Sequence, residues 1–278
     1  MAGSTAVAST SMYRFALRPK WILSHLAVLV LILSMILLCA WQVRRLHEKQ
    51  ERNALIEANS AGPASGVEAL DGDPAATQYR LVRITGTYDP DHEVAIRNHS
   101  DGAGPGRWIV TPLRLTGSNR VVLVLRGFLP AVDDDTTPPF DGAGAPSGEV
   151  TVEGWAQPTQ EREGLGPTDP PDGVLAEMAR VDVPRIAQQL GSPVAPMWVQ
   201  ASTRQSADPV APLAPVALPS LDEGPHLGYA VQWAIFTLIA IGGYPLVLRK
   251  VARQRAMEDR GAERDAAAAE AGDVESVP

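Results

Sequence analysis

Residues Trp21–Val43, WILSHLAVLVLILSMILLCAWQV, carry no fixed charge and consist mainly of Leu, Ile, Val and Ala. Residues Gly224–Leu248, GPHLGYAVQWAIFTLIAIGGYPLVL, repeat that character near the other end of the chain. A helix needs about 20 residues to cross ~30 Å of hydrocarbon, so each run is long enough for a span. Lys20 precedes the first run and Arg44 and Arg45 follow it, while Arg249 and Lys250 follow the second. Trp21, Trp41, Tyr229 and Tyr244 fall near the ends, where amphipathic rings favour the membrane interface. The first run is longer than the core of a signal peptide, and no small-x-small site follows it. Leu38 stands before Cys39 where a lipoprotein signal would carry a small residue. The segment reads as a permanent anchor.

Between the two runs the pattern changes. Residues 42–59 contain no helix breaker and continue the first helix until Gly62, Pro63 and Gly66. Tyr79–Tyr88 alternates as a strand with Val82, Ile84 and Tyr88 on one face. Asp89-Pro90-Asp91 makes a turn, and His92–Asn98 returns as a second strand. Arg107–Leu115 and Arg120–Leu129 flank a hairpin connection at Thr116-Gly117-Ser118-Asn119, with Gly102–Gly106 read as a hairpin loop. Glu149–Ala156 and Met197–Ala201 read as further strands. Asp182 caps a short helix over 183–190 that stops at Gly191. Residues 130–148 and 160–172 read as loops. Prolines 209, 212, 215, 219 and 225 predict an extended strap leading to the second run. The acidic run Asp133-Asp134-Asp135 reads as solvated loop, and residues beyond Arg264 as a solvated, partly helical or disordered tail.

The expected fold is therefore a membrane protein with two transmembrane α-helices bracketing an extracytoplasmic β-rich α+β domain. Its boundaries are a cytoplasmic N-terminus at 1–20, a first span at 21–43, the outer domain at 44–224, a second span at 225–248 and a cytoplasmic tail at 249–278. Orientation follows from the second helix, because Arg249, Lys250, Arg253, Arg255, Arg260 and Arg264 follow it while residues 205–228 hold no Lys or Arg. Positively charged flanks stay inside, which places both termini in the cytoplasm and the protein in the cell membrane.

Composition narrows the function. The 278 residues carry 24 Lys+Arg against 32 Asp+Glu, a net charge of −8, so no cationic excess exists to neutralise nucleic acid. One cysteine, Cys39, excludes an intrachain disulfide and any cysteine-built metal cluster. No nucleophile elbow, zinc-protease motif, P-loop or dinucleotide fingerprint occurs, so the chain does not read as an enzyme.

The histidines carry more information. His226 opens the second helix after Pro225, and His226, Tyr229, Ala230 and Trp233 fall on one helical stripe. Spacing leaves two readings of His226: an interfacial residue, or an imidazole ligand for a metal or heme iron at the membrane surface. His25 lies near the far end of the first span, about 24 Å from Trp41 along the helix, and cannot share a ligand with His226. His47, on the outer extension, can. Arg44, Arg45 and Arg52 near it suit propionate carboxylates or lipid headgroups equally.

Four segments resemble the surfeit-locus-1 family of cytochrome c oxidase assembly factors. Trp41-Gln42-Val43-Arg44-Arg45-Leu46-His47-Glu48-Lys49 is similar to its W-Q-x-x-R-x-x-x-K, and Tyr79–Tyr88 (YRLVRITGTY) to its Y-x-x-V-x-x-x-G-x-Y strand. Residues 106–115 (GRWIVTPLRL) with 122–130 (VLVLRGFLP) resemble its T-P-L and R-G-W-x-P hairpin, and His226–Trp233 (HLGYAVQW) its H-x-x-Y-A-x-Q-W. Cys39, Leu125 and Phe128 depart from a common glycine, asparagine and tryptophan. The resemblance covers roughly residues 18–252. It implies a non-enzymatic role in oxidase maturation, linked to delivery of heme a, with His226 in the position of the proposed ligand and Tyr229 and Trp233 along the heme face. It also implies oxidase subunit I and heme a synthase as partners within the lipid bilayer. A cofactor-free, membrane-anchored scaffold that binds oxidase subunits is the alternative.

Overall fold

The computed structural model describes residues 14–101, 104–130, 143–162, 164–202 and 213–274. Two compact units emerge, one from the chain up to Gln50 together with the chain from Asp222 onward, the other from Glu51–Leu221.

The first unit is an antiparallel pair of long helices, α1 (Pro19–Ser60, of which the part up to Gln50 belongs here) and α4 (His226–Val274). Its side-chain contacts keep one register. Arg255 lies 4.7 Å over the Phe15 ring, His25 meets Tyr244 at 2.6 Å, Cys39 reaches the Ala230 carbonyl at 3.4 Å, and Gln42 meets His226 at 2.8 Å. The residue numbers across these rungs sum to nearly the same value, as two rods packed without a slip require. Between the rungs the outward faces are apolar and uncovered: Leu23, Leu37, Leu238 and Ile239 are all more than 60% exposed. Both helices are long and apolar enough to cross a membrane, and none of the most apolar window of α1 is buried. α4 runs on to Val274, well past the expected end of the span at 248. A run rich in alanine, arginine and glutamate, with no proline in the helix after Pro245, carries the continuation through Gly261 and Gly272.

The second unit is built on one seven-stranded mixed sheet. Its strands are β1 (Leu81–Tyr88), β2 (Val94–Asp101), β3 (Gly104–Leu115), β4 (Val121–Pro130), β5 (Glu149–Pro158), β6 (Glu177–Met178) and β7 (Met197–Ala201). The order is β1-β5-β7-β4-β3-β2-β6, and an additional β1–β3 pairing closes β1, β5, β7, β4 and β3 into a ring. Closure happens at Gly86, which pairs with Val150 on one side and Leu115 on the other. A Cβ there would lie 2.2 Å from the Arg114 carbonyl oxygen, so only glycine admits the third strand. The ring leaves few unpaired strand edges, and the remaining edge strand, β6, has two residues.

The alternation expected over 79–88 is present. Val82, Ile84 and Tyr88 are buried and share a core with Leu113, Val122, Val124, Val152, Met197 and Val199 inside the ring. On the opposite face, Val121, Leu123 and Leu125 of β4 bury against Val183, Ile186 and Leu190 of α3 (Val183–Leu190). That helix has the expected ends: Asp182 accepts the Arg185 amide at 3.0 Å, and Gly191 stops it in the left-handed conformation at φ 61°. Tyr79 belongs to no strand; it adopts φ 65° just after the short helix α2 (Pro74–Thr77). Gly104–Gly106, expected as loop, extend β3, while Gly102 and Ala103 lie outside the described residues. So do Asp133-Asp134-Asp135 and prolines 209 and 212. The described part of the strap, 213–225, forms no helix or strand of its own and pairs once with β4, Ala214 against Phe128.

Candidate functional site

His226 stands at the first turn of α4, half-buried, directly after Gly224 and Pro225. Gly224 holds φ +71° and its amide donates to Asp222 Oδ1 at 2.9 Å, which turns the strap into the helix. The imidazole Nδ1 lies 2.8 Å from Oε1 of Gln42, a glutamine only 8% exposed in an otherwise apolar stretch of α1. Nε2 of the same ring has no hydrogen-bond partner among the described residues. Gln50 anchors the strap just beyond, donating to Glu223 at 3.2 Å.

The predicted stripe divides. Ala230 is buried under Cys39, whereas Tyr229 is 47% exposed and turned outward. Trp233 is half-buried and packs edge-on against Phe236 with centroids 6.0 Å apart. His47 is exposed and has no hydrogen-bond or ion-pair partner among the described residues. At 3.6 residues per turn it stands about 140° around α1 from Gln42, so the two do not share a face. Arg45 is occupied, bonding Glu48 at 2.8 Å with its guanidinium 5.8 Å from the Trp41 ring. Arg44 is exposed and unpaired among the described residues. Gln42, a residue of the Trp41–Lys49 segment, is the one brought to His226. Its signal was a buried-type position holding a polar side chain in an apolar run.

His25 provides the contrast. Its Nε2 donates to the Ala16 carbonyl at 3.1 Å and its Nδ1 meets the Tyr244 hydroxyl, itself 3.0 Å from Ser24. Both ring nitrogens are used in joining the two helices, so none is left for a ligand.

Within the β-unit the motif residues converge on a polar knot. β4 bulges against β3 between Leu125 and Gly127, which turns Arg126 inward. Its guanidinium bonds Glu93 at 3.2 Å and the carbonyls of Ala143 and Gly144 at 2.9 Å each, and lies 5.5 Å from the Tyr88 ring. Thr111 donates to the same Glu93 oxygen at 2.5 Å. The guanidinium and the carboxylate neutralise each other and the Thr111 hydroxyl and two carbonyls tie them in place, which is the chemistry of a lock. A cleft of about 490 Å³ beside Trp198 is lined by Gln78, Gln157, Gln160 and Arg180. Gln78 and Gln160 are already tied to Gln157 and to the Val181 amide, so this lining closes the sheet.

Within this unit burial raises Tyr79 above its ordinary value, and the hydrogen bond from Arg120 lowers Asp71. Burial lowers His99, which stacks 3.6 Å from Trp108. Burial pushes Asp89 up, but hydrogen bonds from His92 at 3.0 Å and Arg114 at 2.6 Å outweigh it and leave the carboxyl below its ordinary value. Among the described residues no group of three His, Cys, Asp or Glu side chains gathers to hold a metal ion.

A family profile described as the SURF1 family matches residues 29–238. An uncharacterized SURF1-like protein of Mycobacterium tuberculosis is 26% identical over 254 residues, covering 89% of this chain and 90% of its own. A SURF1-like protein of Monosiga brevicollis is 28% identical over 142 residues, 48% of this chain and 54% of its own length. One from Rickettsia conorii is 35% identical over 91 residues, 32% of this chain and 36% of its own.

Proposed function

Because the chain belongs to the SURF1 family, a family of oxidase assembly factors, we propose that it handles heme a at His226 during assembly of cytochrome c oxidase, passing it toward subunit I beside heme a synthase. In this reading α1 and α4 cross the cell membrane. The uncovered leucines and isoleucines of both helices support that, since a contiguous apolar surface of this length finds its partner in lipid. The arginines and Lys250 after the second apolar run then keep the C-terminus cytoplasmic. The antiparallel partner brings the N-terminus to the same side, and the β-unit lies outside the cell.

The observation that carries the proposal is a half-buried imidazole with an unpartnered Nε2 at the outer end of an apolar helix pair. Such a nitrogen is what heme iron takes as an axial ligand. Heme a supplies the oxidase's redox iron once transferred. This chain's residues bind and orient it: His226 offers the lone pair, Trp233 and Tyr229 offer ring surface along the same helix, and Arg44 is the cation free for a propionate. Arg45, held by Glu48, and His47, on another face of α1, contribute less.

The test is the full chain purified in detergent from cells that make heme a. A heme absorbance band in the wild type and its loss in His226→Ala, with helix content unchanged by circular dichroism, is the expected result. A band retained in His226→Ala overturns His226 as the ligand, and a colourless wild type overturns the heme reading and leaves the cofactor-free scaffold.

A further inference from the structure

An amide side chain buried in an apolar helix is costly unless it is bonded, and Gln42 has one hydrogen-bond partner among the described residues: its Oε1 sits on the Nδ1 side of His226. We infer that Gln42 is the positioning residue of this site, holding His226 as the Nδ1–H tautomer so that Nε2 presents its lone pair outward. The inference rests on the heme reading for its purpose, but the tautomer itself is a property of the protein without heme.

The chemistry is short. An amide oxygen only accepts, so the proton of a neutral imidazole facing it must be on Nδ1. The other ring nitrogen is then unprotonated and can act as a ligand. With no such acceptor the proton is free to sit on Nε2, where it would block an incoming metal. An acceptor behind a ligating imidazole also fixes the ring plane and raises the basicity of the nitrogen in front.

The backbone makes Gln42 able to do this. Cys39, three residues earlier on the same face of α1, is seated on the Ala230 carbonyl at 3.4 Å, one turn below His226. Two adjacent rungs therefore set the height and rotation of Gln42 against the ring. On the open side, Gly224 keeps Nε2 clear. A Cβ at that position would stand 3.6 Å from Nε2 and 3.5 Å from Cδ2, and the φ of +71° excludes most side chains anyway. One neighbour thus holds the back of the ring while another leaves its front uncovered. His25 has the opposite arrangement, with both nitrogens occupied.

The experiment uses the full chain, labelled with ¹⁵N-histidine and reconstituted in lipid nanodiscs without heme. The His226 signal is identified by its disappearance in His226→Ala. The wild type is expected to show a protonated Nδ1 and an unprotonated Nε2. Gln42→Leu is expected to move the proton toward Nε2, and Gln42→Glu, which keeps the acceptor, to restore the wild-type pattern. A residue that merely glued the helices would change stability without moving the proton. A wild-type His226 protonated on Nε2, or a tautomer unchanged in Gln42→Leu, overturns the inference. If Gln42→Leu does not fold, Gln42→Met, which keeps the length of the side chain and lacks the acceptor, takes its place, and a tautomer unchanged in it overturns the inference.

Hemin titration of the same samples separates the two claims. Gln42→Leu is expected to weaken hemin affinity about 10- to 100-fold, the usual cost of losing the partner behind a ligating histidine. The Fe–His stretch of the ferrous complex is expected to fall in Gln42→Leu and rise in Gln42→Glu. Equal hemin affinity in the wild type and His226→Ala, with the proton still switched by Gln42→Leu, overturns the heme reading and supports the tautomer assignment. Loss of hemin in His226→Ala, with no change of affinity or Fe–His frequency at position 42, overturns the assignment and leaves the heme reading standing.

Discussion

Replacing Glu93 or Arg126 singly tests whether the knot inside the β-unit is a lock. The Arg126 side chain is 0% exposed and the Glu93 side chain 1%, at 3.2 Å separation. Removing one member breaks a buried ion pair, which costs about 3–5 kcal/mol. Glu93→Leu takes the carboxylate from the guanidinium, which keeps the Ala143 and Gly144 carbonyls and the Tyr88 ring among its partners. Arg126→Met strands the carboxylate and also takes the donor from Ala143 and Gly144. The double variant Glu93→Leu with Arg126→Met carries no buried charge at all. Its remaining cost is the two carbonyls and the Thr111 hydroxyl, about 1–3 kcal/mol for each group that finds no water. The sum of the single losses therefore exceeds the double loss by several kcal/mol.

Urea titration of the full chain in detergent, followed by near-ultraviolet circular dichroism, reads these differences. For a unit of this size ~3–5 kcal/mol corresponds to a melting shift of about 6–20 °C. Loss of under ~1 kcal/mol in either single variant would show that water reaches the pair. Additivity within about 0.5 kcal/mol would show that the two residues act independently. Either result refutes the account of the bulge at Arg126 as a device for burying a cation.

Three further outcomes follow from the same geometry. His99 has a folded pKa below its ordinary 6.5, because burial against Trp108 disfavours the cation. The unfolded chain thus binds more protons, and stability present above about pH 6.5 declines as pH falls through 6.5 toward the folded value. His99→Phe keeps the stack and should flatten the urea midpoint between pH 7.5 and 5.5; an unchanged slope would refute the assignment. Gly86→Ala places a Cβ 2.2 Å from the Arg114 oxygen and should cost at least ~1–3 kcal/mol in the same titration, more if the ring opens. Gly191→Ala forces a side chain into the left-handed C-terminus of α3, at φ 61°, and should lower the urea midpoint by the equivalent of about 1–2 kcal/mol, with open space around it and no clash to add.

Features set by neighbours in the chain were legible. The two apolar runs, the Asp182 and Gly191 ends of α3 and the inward set Val82, Ile84 and Tyr88 all follow from local periodicity or capping. Features set by distant partners were not. β6 is two residues whose only pattern is the parallel neighbour β2, and β4 and β7 pair in parallel across a long connection. Ring closure turns on Gly86, which the sequence places inside a strand without showing that a second strand must approach it. Tyr79 was counted into the strand because its type fits one, but the left-handed backbone after α2 excludes it.

The histidines show the same division at the level of a single atom. His25 and His226 each sit near one end of an apolar helix, and nothing in residue type separates them. What separates them is how many ring nitrogens the antiparallel register leaves unbonded. At the His25 rung the facing residue is Tyr244 and the chain before α1 adds the Ala16 carbonyl, so the ring is closed on both sides. At the His226 rung the facing residue is Gln42, which has one acceptor to give, and the residue before the turn is a glycine with nothing to add. The unbonded Nε2 of His226 is therefore written in the register of α1 against α4. Shifting either helix by one residue would turn Gln42 about 100° away from the ring and return His226 to an ordinary interfacial side chain.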